Sequence, residues 1–146
     1  MKVRGRLAGA LLLLILLFLP MIDVRLPAWS AADSIPVRDF NRMTRLAHDK
    51  GASWTLSPLL VSLKLAGETC ECSTRRIELK STPEAFKDAA VKITDQGYLD
   101  DSIRGYQYSL VLRRVAAGYW EVVEATKARN CWKGRGHEDF SNAPCS

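Results

Sequence analysis

The sequence contains no catalytic signature. No serine stands in a recognisable nucleophile elbow, and the chain has only two histidines, His48 and His137. No internal repeat, low-complexity tract or linker interrupts Asp33 to Ser146, so 146 residues make one domain and little more. Nor does a cysteine follow the apolar N-terminal run closely, which argues against a lipid-anchored lipoprotein. Strong charge of one sign is also missing once the N-terminus is set aside. From Asp33 onward the chain carries 17 basic against 15 acidic residues, a net of +2, so the pI of about 9.2 is partly a targeting feature and does not argue for nucleic-acid binding.

What is present begins with a basic head, Met1 to Arg6, and an unbroken apolar run, Leu7 to Leu19. That is the layout of a secretory signal. Ser30 and Ala32 before Asp33 offer a cleavage site, although Pro20, Asp23 and Arg25 separate it from the run. The sequence therefore divides into a signal peptide, 1-32, and an exported domain, 33-146, with an uncleaved inner-membrane anchor facing out as the competing reading. Both readings send the domain outward, because the positive charges precede the run. The expected location is periplasmic or secreted.

Four cysteines, Cys70, Cys72, Cys131 and Cys145, all lie in the exported part. An even number in an oxidising compartment argues for disulfides. A Cys131–Cys145 bridge closes a loop worth roughly 3 kcal/mol in the chain-entropy account. It leaves Cys70 with Cys72, two positions apart on an expected strand and near the upper limit of bridging separation. Crossed pairings between the two ends remain the alternative.

Apolar residues at helical spacing, Val37, Phe40, Met43, Leu46 and Ala47, predict an amphipathic helix between Ser34 and Lys50. Ser57 as cap and Pro58 in the first turn predict a second helix from Pro58 to Ala66, stopped by Gly67, with Trp54 beside the centre of the core. The alternation Val61, Leu63, Leu65 also suits a strand. Thr69 to Lys80 reads as a strand slipping near Arg75 and Arg76; Thr82-Pro83-Glu84 reads as the start of a short helix through Ala90, and Val91 to Thr94 suits a strand equally well. Tyr106, Tyr108, Leu110 and Leu112 alternate with polar residues, Ala116-Ala117-Gly118 makes a turn, and Tyr119 to Thr126 completes a hairpin. The expected fold class is α+β, N-terminal helices packed on an antiparallel sheet with a C-terminal hairpin and a disulfide-closed tail. A cystatin or NTF2-like layout is the nearest shape, and it carries no function.

Chemistry-bearing groups are few. Cys70 and Cys72 as free thiolates would suit copper(I) or zinc, with His48 or His137 completing the set; a structural disulfide is the plainer reading. His137 sits with Arg135 in a glycine-flanked loop, where holding loop carbonyls competes with any active role. Arg129, Lys127, Lys133 and Arg135 surround Trp132, a pattern that can bind sugars or anionic polymers. His48 reads as a surface residue. Asp100 and Asp101 are paired carboxylates or an ordinary turn. The sequence implies no cofactor.

The ending Cys131-Trp132-Lys133-Gly134-Arg135-Gly136-His137, followed by Phe140-Ser141 and Cys145, resembles the C-terminus of small uncharacterised exported bacterial proteins, as does Trp54-Thr55-Leu56-Ser57-Pro58. The resemblance implies a bacterial, exported, single-domain protein and transfers no site. Cys70 and Cys72 are not part of that ending, which favours pairing Cys131 with Cys145. The function expected from the sequence is a non-enzymatic domain that binds an exported partner or anionic ligand through its sheet face or tail, using Trp132, Arg135, His137, Lys133 and Arg129. The alternative is a metal-handling or thiol-redox protein built on Cys70 and Cys72, and an enzyme using His137 with Asp100 or Asp101 is the weakest reading.

Overall fold

The computed structural model describes residues 32–81 and 87–146. The basic head, the apolar run and the start of the helix expected at Thr82 lie outside the described residues. The elements are β1 (Asp33–Ser34), α1 (Arg38–Asp49), a 3-10 turn (Ser53–Leu56), α2 (Pro58–Ala66), β2 (Thr74–Ser81), β3 (Asp88–Gln96), β4 (Ile103–Arg114) and β5 (Trp120–Cys131). The fold is α+β, and all strand pairs are antiparallel in the spatial order β1-β5-β4-β3-β2. No helix of the described residues is long and apolar enough to cross a membrane.

α2 forms where its punctuation dictates. The Ser57 hydroxyl accepts from the Leu60 amide at 3.4 Å, Pro58 occupies the first turn, and Gly67 leaves the helix at φ 103°. α1 turns a narrower stripe inward than its apolar spacing suggests. Thr44 is fully buried and Phe40 packs on the core, whereas Met43 and Leu46 remain about half exposed at 47% and 52%. The inward stripe runs Val37, Phe40, Thr44, Ala47, and Met43 and Leu46 fall to its side. The Thr44 hydroxyl donates to the Phe40 carbonyl at 3.0 Å, so its burial leaves no unmet donor.

Both helices pack on one face of the sheet. That face presents Ala89, Val91 and Ile93 from β3, Leu110 and Leu112 from β4, and Trp120, Val122 and Ala125 from β5, with Val61 of α2 seated among them. Trp54, expected beside the core's centre, is only half-buried and packs at its margin. Val122 and Ala125 differ by three positions yet share a face because the β4 to β5 register shifts between Val111 and Leu112. The extra residue is a bulge, which resets the alternation. Near it α1 reaches the sheet edge. The Asn41 amide donates to the Val122 carbonyl at 2.8 Å and its oxygen accepts the Val122 N–H at 2.9 Å, so one side chain substitutes for a neighbouring strand.

Three sequence expectations are corrected. The strand expected from Thr69 begins at Thr74, and Cys70 and Cys72 occupy the bend before it. β2 then pairs with β3 without slippage from Thr74 opposite Gln96 to Ser81 opposite Ala89, so no bulge occurs at Arg75 or Arg76. Asp88 to Ala90 are strand, not helix, because Ala89 faces the core beside Leu112.

Candidate ligand-binding cleft

Among the described residues no helix covers the second face of the sheet, and strand register arranges its side chains in rows. Thr74, Gln96, Gly105 and Asn130 form one row, Arg76, Thr94, Gln107 and Ala128 the next, and Glu78, Lys92, Ser109 and Thr126 a third. Ten residues from these rows and their surroundings, Arg104 and Phe140 among them, line an open cleft of about 510 Å³. Such a volume falls within the range of small-ligand sites.

The floor is polar and internally bonded. Gln107 donates to the Thr94 hydroxyl at 3.4 Å, and the Gln96 amide donates to Asn130 Oδ1 at 3.2 Å. Gly105 lies beneath that last bond. A Cβ there would overlap both the Gln96 amide and the Asp95 carbonyl oxygen, so the glycine makes the crossing possible. Around the floor stand three cations, Arg76, Lys92 and Arg104, against one acid, Glu78. None of the three cations forms an ion pair among the described residues. Arg104 lies 5.8 Å from the centre of the Trp132 ring.

The tail is fixed against this end of the sheet. Cys131 and Cys145 are bonded with Cα atoms 5.6 Å apart. Arg129 and Ser141 exchange backbone hydrogen bonds of 2.8 and 2.9 Å, so the tail lies against β5 in an antiparallel bridge. Asn130 donates to the Glu138 carbonyl at 3.3 Å, joining the cleft floor to the tail. Trp132 donates from its indole to the Asp100 carbonyl at 2.9 Å. Asp100 itself accepts from the amides of Ile103 and Ser102 and from the Ser102 hydroxyl, which hold its carboxyl below the usual range. Its partners are all turn groups, and Asp101 is exposed.

The sequence-predicted binding residues are thereby distributed. His137 turns both ring nitrogens to carbonyls, Nδ1 to Asp139 at 2.7 Å and Nε2 to Ala143 at 2.8 Å. Arg129 pairs with Asp33 at 3.2 Å. Lys127 lies 3.9 Å from the Tyr106 ring centre on the helix-bearing face, away from Trp132's tail segment. Lys133 and Arg135 are exposed on the loop. His48 is not a free surface residue: half-buried, it stacks 4.9 Å from Tyr119 and meets the Thr55 hydroxyl at 3.3 Å. That hydroxyl already donates to the Ala52 carbonyl, so the His48 Nδ1 is the donor.

Another ionic cluster lies at the junction of α2, β2 and β3. The Arg75 guanidinium meets both Asp95 oxygens at 2.7 Å, with Asp95 1% exposed, and also donates to the Gly67 carbonyl at 2.8 Å and the Glu68 carbonyl at 3.1 Å. The hydrogen bond to Asp95 holds the guanidinium more firmly protonated. Tyr98 donates to Asp95 at 3.3 Å; burial, then the carboxylate's charge, push its hydroxyl up to about 12. Cys70 and Cys72 are bonded to each other, Cα atoms 5.2 Å apart, instead of crossing to the tail. Among the described residues, two groups of side chains have metal-ligand spacing, Cys70, Cys72 and Asp95, and Cys131, His137 and Cys145. As disulfides these sulfurs offer no thiolate, and Asp95 is taken up by Arg75.

Arg76, Lys92, Gln96, Arg104 and Gln107 were not legible as one group from sequence. Their signal is the polar half of strand alternation, which gathers them only once β2, β3 and β4 are in register. No protein family, curated protein or solved structure matches this chain.

Proposed function

We propose that this is a non-enzymatic binding domain whose open sheet face takes an anionic, hydroxyl-rich ligand, of which an acidic oligosaccharide is the simplest chemistry. The observation that carries the reading is the set of cations, Arg76, Lys92 and Arg104, above a floor of amides and hydroxyls in one cleft. Guanidinium and ammonium groups meet carboxylates. Gln96, Gln107, Asn130, Thr74 and Thr94 supply the paired donors and acceptors that sugar hydroxyls need. Phe140 adds an aromatic ring to the lining, and Arg104 lies 5.8 Å from the centre of the Trp132 ring.

Two features support our reading that the domain is periplasmic or secreted: the N-terminal basic head with its apolar run, and two disulfides in a small domain. The cystatin or NTF2-like layout remains our reading of its finer architecture, and the C-terminal ending that of its kinship with small exported bacterial proteins. Calorimetric titration of the domain with oligomers of a uronic acid and of the matching neutral sugar tests the binding reading. Acid-selective binding that weakens steeply with salt is expected. Absence of binding at low salt, or equal binding of the neutral sugar, contradicts it.

A further inference from the structure

Independently of the cleft, the geometry points to Cys70–Cys72 as a reversibly reducible disulfide, a thiol-exchange site whose opening the fold survives, in contrast to the structural Cys131–Cys145 bridge. The two pairs differ in two respects. Cys131 is fully buried and only Cys145 of its pair is partly exposed, whereas Cys70 and Cys72 are both partly exposed on a bend flanking an exposed Glu71. An attacking thiolate must reach a sulfur along the bond axis, so either cysteine of Cys70–Cys72 is approachable whereas only one of Cys131–Cys145 is. Secondly, the Cys70–Cys72 ring spans a sequence separation of 2 against 14. The bond therefore restricts the entropy of the unfolded chain less, and opening it costs the fold less stability.

The bend also has anchors that do not depend on the bond. Arg75 holds the Gly67 and Glu68 carbonyls on one side, and the Ser73 amide and hydroxyl both donate to the Gly97 carbonyl on the other, at 3.2 and 3.1 Å. Opening the bond leaves Cys70 and Cys72 tethered near each other and ready to re-form it. Their sulfurs and an Asp95 carboxylate oxygen lie within 4.8 Å of one another, so the bond abuts the buried Arg75–Asp95 pair.

The partner is a dithiol. One of its thiolates attacks Sγ of either cysteine, the Cys70–Cys72 bond breaks, and the other cysteine leaves as thiolate and takes a proton. The partner's second thiol then attacks the mixed disulfide, releasing the first cysteine. The partner is oxidised to a disulfide by two electrons, and its two protons end on Cys70 and Cys72.

The test exposes the intact exported domain to dithiothreitol, quenches with an alkylating agent at intervals, and maps the labelled cysteines by peptide mass spectrometry alongside circular dichroism. Cys70 and Cys72 are expected to label together at least about tenfold faster than Cys131 and Cys145, with the far-ultraviolet spectrum unchanged. In addition, Cys72→Ser, incubated with oxidised glutathione, is expected to take up one glutathione at Cys70. Simultaneous labelling of all four cysteines, labelling of Cys70 and Cys72 only on unfolding, or a Cys72→Ser variant that folds but takes up no glutathione overturns the proposal. The double variant Cys70→Ser/Cys72→Ser, expected to keep the fold and the uronate binding, separates failure of this site from failure of the cleft.

Discussion

Gln96 reaches across Gly105 to donate to Asn130 at 3.2 Å, and Asn130 in turn donates to the Glu138 carbonyl of the tail. The cleft floor and the disulfide-closed tail are thus one hydrogen-bonded unit. Asn130 is 5% exposed, so its own amide group has no ready access to water in place of these partners. Asn130→Ala is expected to cost about 1 to 3 kcal/mol. Chemical denaturation measures the loss, and hydrogen exchange at Glu138 to Ser141 is expected to quicken with it. A stability change near zero would show that the floor and the tail are separate.

Gly105→Ala meets backbone, not a flexible side chain, at the Asp95 carbonyl. The strand must shift or the Gln96 amide must leave its place, so a lowered melting temperature is expected together with weakened ligand binding. Thermal melting and calorimetry on the same sample read both effects; unchanged values in both would contradict the crossing.

Asn41 closes both the N–H and the C=O of Val122. Asn41→Ala leaves that strand-edge pair unmet and is expected to destabilise by about 1 to 3 kcal/mol, while Asn41→Asp, which keeps only acceptors, also fails to restore the bond to the carbonyl. Equilibrium urea unfolding of the two variants checks this, and the parent stability in either would remove Asn41 from the account.

The Arg75–Asp95 pair predicts an asymmetric outcome. Arg75→Met strands a carboxylate that is 1% exposed and is expected to cost about 3 to 5 kcal/mol, whereas the double variant Arg75→Met/Asp95→Leu recovers much of it. Denaturation midpoints of the set form a double-mutant cycle. Equal loss in the single and the double variant would show that the charges do not compensate each other.

Tyr98 sets a pH limit. Its hydroxyl is pushed from the ordinary 10.0 up to about 12, so the folded chain holds that proton more tightly than the unfolded chain does. The resulting stability is complete below about pH 10 and is lost as pH rises toward about 12. Tyrosinate absorbance of the parent against Tyr98→Phe reads it directly. The variant is expected to lack the latest-titrating tyrosine; loss of an ordinary one contradicts the burial argument.

How far the fold was legible depended on punctuation. Ser57, Pro58 and Gly67 mark α2 to the residue, and the alternation from Tyr106 to Leu112 marks the hairpin, because each feature is local. The span from Cys70 to Thr94 was misread in part. Its strands are identified by partners, Ile77 against Ile93 and Val91 against Leu110, and pairing of that kind leaves no mark within a short window. The cleft inherits the same difficulty. Arg76, Lys92 and Arg104 are far apart in sequence and share a site only through register, whereas the basic residues adjacent to Trp132 in sequence, Lys127 and Arg129 among them, are turned elsewhere by strand alternation.

The central claim is tested most directly by titrating the isotope-labelled domain with a uronic-acid oligomer at low salt and following backbone amide shifts by NMR, in parallel with Lys92→Glu. The account predicts shifts concentrated at Arg76, Lys92, Gln96, Arg104 and Gln107, abolished by high salt, with affinity reduced about tenfold or more in the variant. Shifts confined to the helical layer, or a Lys92→Glu variant that binds as the parent does, would contradict it.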